Sequence, residues 1–222
     1  MLAALAAVAL LVAGGGIAWG ADSIGTAPAT NQFDKPVYNM AAGENPVLTN
    51  DTIGTSHDVT SFERGPDGAP LFRSATIGTG KTAVVRGTQY LPPGDYHFLC
   101  SVHGSGMDAM LHVGPGAAVP RPRISLTILS SAIDRVRNSG KLRVKVVAAA
   151  SNAENVTLAA TVAGVTIARA RGLDVAAGSA RNATLTLTAR GKHLLQGRNR
   201  ALVTVKGTVE FGKPDTTRRP LG

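Results

Sequence analysis

Short segments of alternating apolar and polar residues, separated by glycines and prolines, fill the second half of the chain. In residues 124–128 isoleucine and leucine alternate with serine and threonine, and the same period recurs in residues 142–146, 184–188 and 203–211. A period of two places successive side chains on opposite faces of a strand. The pattern therefore predicts an antiparallel sandwich of about six half-buried strands. A Gly-Lys-His sequence at residues 191–193 predicts a turn between two of them.

The composition determines the kind of core that such strands can build. The chain of 222 residues has room for one large domain or two ordinary ones. Aromatic residues make up only 4% of it, so we expect an aliphatic, β-rich core. Many short strands without alternating helices favour sheets packed on sheets. We therefore expect an all-β protein, whose second half resembles the immunoglobulin-like antiparallel β-sandwich modules of secreted bacterial proteins.

One segment of the first half, residues 96–107, brings together three candidate metal ligands. Cys100, the only cysteine, ends a predicted strand, and His103 and Met107 follow in a predicted loop that contains two glycines. Thiolate, imidazole and a weak thioether are ligands of a mononuclear copper electron-transfer site, which needs one more histidine. His57, in a turn-rich passage upstream, is the candidate for that position.

Other interpretations of these residues exist. A Cys-x-x-His sequence alone is common, and a buried free cysteine often serves as a small apolar residue. Structural zinc prefers several thiolates or two spaced Cys/His pairs, which this chain lacks. The joint occurrence of a second histidine, a methionine at loop distance and the sequence Pro93-Gly94-Asp95-Tyr96 before the cysteine strand favours copper.

Three passages resemble the cupredoxin family of blue-copper proteins, which includes plastocyanin, amicyanin and pseudoazurin. They are residues 37–50, residues 56–59 and residues 93–113, so the resemblance covers residues 30–114. It implies a Greek-key β-sandwich that holds one type 1 copper ion. The ligands that the resemblance implies are His57, Cys100, His103 and Met107.

The sequence departs from the family pattern at two places. Three residues separate His103 from Met107, whereas plastocyanin-like loops have four there and amicyanin-like loops two. Met110 is the alternative axial ligand if the register of the loop is different. Asp58 stands beside the first ligand, where the family often has asparagine.

The N-terminal residues differ in kind from the rest of the chain. The apolar run at residues 2–12 and the small residues that follow predict a signal peptide over residues 1–21, with an uncleaved N-terminal anchor as the alternative. We therefore expect an exported protein that is periplasmic, extracellular or on the cell surface. The copper domain is expected over residues 22–114, a Pro/Gly linker over 115–123 and a basic β-sandwich domain over 124–222.

Charge is distributed unequally between the two halves. From residue 120 onward the chain carries 18 basic and 5 acidic residues, whereas residues 1–119 carry 5 basic and 9 acidic ones. A basic domain suits an anionic partner. For an exported chain an anionic envelope polymer, a membrane surface or an acidic redox protein fits better than nucleic acid. The alternative is that the charge serves solubility alone.

The sequence favours an electron carrier over an enzyme. It shows no nucleophile–base pair and no carboxylate pair at catalytic spacing. We expect outer-sphere electron transfer by a copper ion that cycles between Cu(II) and Cu(I), with redox proteins as partners. A copper-binding or cell-surface interaction module without redox activity is the alternative, because the same four ligands serve both functions.

Overall fold

The structure, a computed structural model, describes residues 20–222 and confirms the all-β class, with only two short α-helices and one 3-10 turn (Thr88–Tyr90) among the strands. The predicted signal peptide, residues 1–21, lies almost wholly outside the described residues. None of the helices within residues 20–222 has the length and apolar character needed to cross a membrane. Buried apolar side chains form two separate clusters, one between residues 24 and 113 and the other between 124 and 221. We call residues 20–114 the first unit and residues 123–222 the second unit.

The first unit is built from two sheets. Its strands are β1 (Ile24–Gly25), β2 (Val37–Ala41), β3 (Val47–Asn50), β4 (Thr60–Ser61), β5 (Lys81–Val84), β6 (Gly94–Cys100) and β7 (Gly104–Gly114). One sheet has the order β1-β3-β5 and the other β2-β7-β6-β4. Strands β6 and β7 are antiparallel, whereas β2 runs parallel to β7.

Alternation in β6 and β7 builds the wall of the first unit that carries the cysteine. In β6 Phe98 and Cys100 are buried, and in β7 Met107, Ala109 and Leu111 are buried, while the residues between them are more exposed. Phe98 lies opposite Ala109, so both strands direct the same face inward. The cysteine therefore ends a strand whose inner face is already packed.

The few aromatic residues are concentrated in the first core. The ring of Phe98 lies 4.9 Å from that of Phe33, 6.0 Å from that of Tyr38 and 6.2 Å from that of Phe72, measured between ring centroids. The buried cluster of the second unit contains only aliphatic residues. The prediction of an aliphatic core is therefore confirmed for the second unit, whereas the first core is centred on aromatic rings.

The second unit consists of seven strands and two helices. In chain order its elements are β8 (Arg123–Ile128), α1 (Ile133–Ser139), β9 (Lys141–Ala149), β10 (Ala153–Val162), β11 (Val165–Val175), β12 (Ala180–Leu187), α2 (Ala189–Leu195), β13 (Ala201–Thr208) and β14 (Asp215–Leu221). All seven strands belong to one sheet of order β14-β13-β10-β11-β12-β9-β8, and every hydrogen-bonded pair in it is antiparallel.

This sheet curls until its two edge strands meet. The backbone N–H of Leu126 on β8 donates to Asp215 of β14 at 2.8 Å, and the guanidinium of Arg219 on β14 donates to the carbonyl oxygen of Ile128 at 2.7 Å. Where the sequence suggests two separate sheets, one continuous sheet therefore folds over its own core and is nearly closed. Alternation predicts which face of a strand is buried, but it does not distinguish these two ways of covering that face.

The prediction of a turn at residues 191–193 is wrong, because these residues lie in α2. Thr188 caps this helix, since its Oγ1 accepts a hydrogen bond from the backbone N–H of Gly191 at 2.9 Å. A Cβ on Gly191 would lie 2.2 Å from the carbonyl oxygen of Ile167. The glycine therefore allows the helix to approach β11 closely and does not make a turn.

Phe211 joins the two units. It is buried, and its ring centroid lies 6.2 Å from that of Tyr90 in the first unit. The guanidinium groups of Arg73 and Arg86 lie 4.7 Å and 5.9 Å from the same ring, within the range of cation–π attraction. The backbone N–H of Phe211 donates to Asp67 at 3.0 Å. One aromatic residue of the second unit thus fills a pocket made by the first.

The predicted linker, residues 115–123, lies beside this contact. Arg121 donates to the carbonyl oxygen of Phe211 at 3.1 Å, and its guanidinium lies 5.8 Å from the ring of Tyr90. The hydroxyl of Ser151 donates to the carbonyl oxygen of Pro120. The segment is therefore held by both units instead of extending between them as a free spacer.

Two arginines of the first unit form ion pairs with glutamates of the second. Arg73 contacts Glu210 at 2.7 Å, and Arg86 contacts Glu210 at 3.1 Å and Glu154 at 2.8 Å. The side chain of Glu210 is 16% exposed, whereas that of Glu154 is 59% exposed. Partly buried charge-assisted hydrogen bonds contribute more to stability than exposed ones, so Glu210 is the stronger contact.

We expect Glu210→Ala to lower the free energy of unfolding by about 1–3 kcal/mol, because it leaves Arg73 half-buried without its carboxylate partner. Urea denaturation measures this loss. Glu154→Ala removes a carboxylate from the same interface at an exposed position, and it should change the stability by less than about 0.5 kcal/mol. Equal effects of the two changes would contradict the role given to Glu210.

Candidate metal centre

Three of the four predicted ligands come together at one end of the first unit. Cys100 Sγ lies 3.7 Å from Nδ1 of His57 and 3.4 Å from Nδ1 of His103. The ligand atoms of the three residues all lie within 4.8 Å of one another. The two imidazole rings are 4.7 Å apart between centroids and inclined by 37°. Two nitrogen donors thus face the same sulfur atom.

A tight turn brings His103 back to Cys100. The backbone N–H of His103 donates to the carbonyl oxygen of Cys100 at 3.2 Å, which is the hydrogen bond of a β-turn. Gly104 follows with φ of 62°, a left-handed value that suits glycine, and pairs with Cys100 across the ladder. The loop predicted as far as Met107 is therefore shorter, because β7 begins at Gly104. The two residues between Cys100 and His103 are therefore the central residues of this β-turn.

His57 reaches the cysteine from a different part of the sheet. It precedes β4 and forms an isolated bridge with Ile77, with hydrogen bonds of 3.0 Å and 2.8 Å between their backbones. Strand β4 pairs with β6, so the residues before β4 lie beside the end of β6. The centre therefore depends on the folded sheet and not on the loop alone.

Asp58 binds the two segments to each other. Its carboxylate is buried and accepts a hydrogen bond from the backbone N–H of Ser101 at 2.7 Å and another from the Ser101 hydroxyl at 2.5 Å. Thr76 donates to the same carboxylate at 3.1 Å. The backbone N–H of Asp58 donates to Cys100 Sγ at 3.5 Å. Asp58 thus fixes the residue beside the thiol and also contacts the sulfur itself.

The surroundings of His57 favour its neutral form. Burial lowers the pKa of His57, and the neighbouring His103 lowers it further, although Asp58 acts in the opposite direction. The neutral imidazole is the form that binds metals. Nε2 of His57 is buried without a hydrogen-bond partner within the described residues. Nδ1 is the nitrogen that faces the sulfur, at 3.7 Å, so it is the atom placed to share a metal ion with Cys100.

The spacing of the donor atoms fits one metal ion. First-row metal bonds of about 2.0 Å to nitrogen and about 2.3 Å to sulfur, at an angle of about 110–120°, separate the two donors by about 3.5–3.7 Å. The two observed separations, 3.4 Å and 3.7 Å, lie close to this range. A thiolate with two imidazoles is also a donor set that copper prefers. The residues present therefore fit a copper ion.

The methionines at 107 and 110 lie on opposite faces of β7. Met107 is 1% exposed and belongs to the inward face that Cys100 shares, whereas Met110 is half-buried on the other face, opposite His97. Of the two candidates for the axial position, only Met107 therefore points to the interior that holds the cysteine. This supports the register that the sequence suggests.

Sequence reasoning did not give Asp58 and Ser101 a role. The presence of an aspartate where the cupredoxin pattern often has asparagine was the available signal, but the partner of its carboxylate depends on the fold. Asp58 and Ser101 are 43 residues apart in the sequence, and the pairing of β4 with β6 brings them together. A contact of this length has no local pattern in the sequence.

Comparison with known proteins finds similarity to solved structures of low sequence identity. No protein-family model and no curated protein matches the chain. A reduced mutant of amicyanin is similar at 19% identity, with 43% of this chain and 83% of that chain covered and a TM-score of 0.34. Amicyanin from Paracoccus versutus is similar at 20% identity, with 42% and 82% covered and a TM-score of 0.33.

A second kind of similarity extends over more of the chain. The BSP domain of a biofilm-associated protein is 11% identical, with 75% of this chain and 25% of that chain covered and a TM-score of 0.28. These TM-scores are too low to support an argument about function, so the centre is interpreted from the positions of its own side chains.

We expect Asp58→Ala to destabilise the metal-free protein by about 1–3 kcal/mol, because the N–H and hydroxyl of Ser101 lose a charged acceptor. Thermal unfolding of the metal-free chain measures this effect. Asp51→Ala is the control, because Asp51 is an exposed aspartate seven residues upstream and its side chain has no role in the centre. If both variants unfold alike, Asp58 does not hold the two segments together.

Proposed function

We propose that the first unit binds one copper ion through His57, Cys100, His103 and Met107 and carries electrons between partner proteins. The observation that carries this proposal is the convergence of two imidazole Nδ1 atoms on one thiol sulfur, at 3.4 Å and 3.7 Å. Thiolate and imidazole favour copper over the hard cations, and one cysteine is too few for the usual structural zinc sites.

The side chains divide the work of binding. Cys100 would bind copper as the thiolate, and the two histidines would bind it as neutral imidazoles through the Nδ1 atoms that face the sulfur. The N–H of Asp58 donates to the sulfur, and such hydrogen bonds help to set the reduction potential of thiolate-bound copper. Met107, on the same inward face, would supply a weak thioether donor. Copper, when bound, supplies a one-electron couple between Cu(II) and Cu(I).

A rigid centre supports electron transfer. His57 precedes β4, Cys100 ends β6, and Asp58 ties the two segments together through Ser101. Ligands held in this way would move little if a bound copper ion changed its oxidation state, and the energy of reorganisation would then be small. Storage of a metal would not require such restraint.

The two histidines differ in their access to solvent, and this suggests the path of the electron. His57 is fully buried, whereas His103 is half-buried and follows Val102, which is 51% exposed. The small residues Ser105 and Gly106 beyond it leave room for a partner to approach. In this proposal a redox protein docks over His103, and the exported chain acts as an electron carrier and not as an enzyme.

Copper(II) added to the metal-free protein is expected to produce an intense visible band, because the thiolate of Cys100 transfers charge to the metal. Cys100→Ser should abolish the band, and visible absorption and electron paramagnetic resonance spectra measure the change. Copper also binds only the folded state, so it should raise the melting temperature of the natural protein far more than that of the variant. Copper binding by the natural protein without colour would favour the alternative, a copper-binding module without redox function.

The axial position has a matched pair of tests. Met107→Leu should keep copper and colour but raise the reduction potential, because loss of a weak thioether donor destabilises Cu(II) more than Cu(I). Met110→Leu makes the same chemical change on the opposite face of β7 and should leave the potential unchanged. Protein-film voltammetry measures both. A shift in Met110→Leu alone would move the axial assignment to Met110.

A further inference from the structure

A concave groove of about 550 Å³ lies between α1 and the outer face of β9. The charged residues that line it are Arg135 of α1 and Lys141 and Arg143 of β9, and all three are cations. Ser131 and Thr184 add hydroxyl groups to its wall. We call these five residues the basic groove. Its donors come from a helix, two strands and the segment before the helix, so they approach a bound group from several sides.

Strand β9 continues the positive charge beyond the groove. Lys141, Arg143 and Lys145 occupy alternate positions and are exposed, so they form a row on one face with a spacing of about 7 Å. Opposite charges that face one another across a sheet stabilise it. Here the cross-strand neighbours are neutral. They are Thr186, Thr184 and Asn182 on β12 and Thr127 on β8.

The acidic residues of the second unit are all engaged elsewhere. The contacts are Asp134 with Arg137, Glu154 with Arg86, Glu210 with Arg73 and Arg86, Asp174 with the N–H of Asn155, and Asp215 with the N–H of Leu126. Within residues 20–222 the side chains of Arg135, Lys141 and Arg143 form no ion pair. The charge of the groove is therefore uncompensated by the chain itself.

We propose that the basic groove binds a linear polymer of phosphate groups that carries no bases. Evenly spaced cations along a strand match an anion that repeats along a chain. The planar guanidinium groups of Arg135 and Arg143 suit phosphate oxygens, because each can donate two parallel hydrogen bonds. A phosphate also accepts from several directions at once, which fits donors that line more than one wall.

Two features of the second unit favour this ligand over nucleic acid and over a membrane surface. Phe211 is the only aromatic residue among residues 123–222, and it is buried against the first unit, so nucleic-acid bases would find no ring to stack on. The groove is concave, whereas a membrane surface is flat on this scale. A single extended chain fits a groove that neither stacked bases nor a bilayer would fill.

The test uses the metal-free full-length chain, so its outcome is independent of the proposed electron transfer. Long-chain inorganic polyphosphate is titrated by calorimetry at several salt concentrations. Binding should weaken steeply with salt, because the screening length falls from about 10 Å at 0.1 M to about 3 Å at 1 M. Lys141→Gln and Arg143→Gln should each weaken it about five- to tenfold. These side chains are exposed, so circular dichroism should show an unchanged fold.

Lys206→Gln is the matched control, because it removes the same charge from an exposed position on β13, away from the groove. It should change the affinity by less than about twofold at 0.1 M salt. An equal loss in this variant would overturn the proposal, since net charge alone would then explain binding. Tighter binding to a single-stranded oligonucleotide or to anionic phospholipid vesicles than to polyphosphate would also overturn it, as would the absence of polyphosphate binding.

Discussion

The hydrogen bonds from Ser101 to the buried carboxylate of Asp58 are the contact on which the candidate centre depends. They join two segments that are 43 residues apart in the sequence, one next to His57 and the other next to Cys100. Because these bonds need no metal, the ligands are placed before a metal arrives. Folding of the sheet orders these ligands in advance, so metal binding does not lose free energy to ordering them.

The interface between the units engages part of the small set of acidic residues in the second unit. Glu154 and Glu210 are two of its few carboxylates, and both face arginines of the first unit. Both belong to the interface with the first unit, and neither forms an ion pair with a cation of β9. The ion pairs thus join the two units, while the cations of the basic groove have no ion-pair partner within residues 20–222. Sequence counts give the excess charge, but only the fold shows where it is unopposed.

Local patterns in the sequence were sufficient for the strands and for most of the centre. Alternation predicted the buried faces of the second unit, and the spacing of Cys100 and His103 predicted a pair that a β-turn brings together. These patterns did not predict features that depend on contacts between residues far apart in the sequence. Gly191 suggested a turn because its close approach to β11 is invisible in the sequence. For the same reason neither the role of Asp58 nor the closure of the second sheet was predicted.

The near closure of the second sheet has a consequence for the order in which the chain is made. Strand β14 pairs with β13 on one side and contacts β8 on the other, yet residues 215–221 are synthesised after every other strand of the sheet. The first unit contains all of its own strands by residue 114 and can fold while the ribosome is still working. Until β14 emerges, the second unit presents two open edges, which are templates for pairing with other chains. The strand that completes this sheet is therefore also the one that protects its open edges from aggregation.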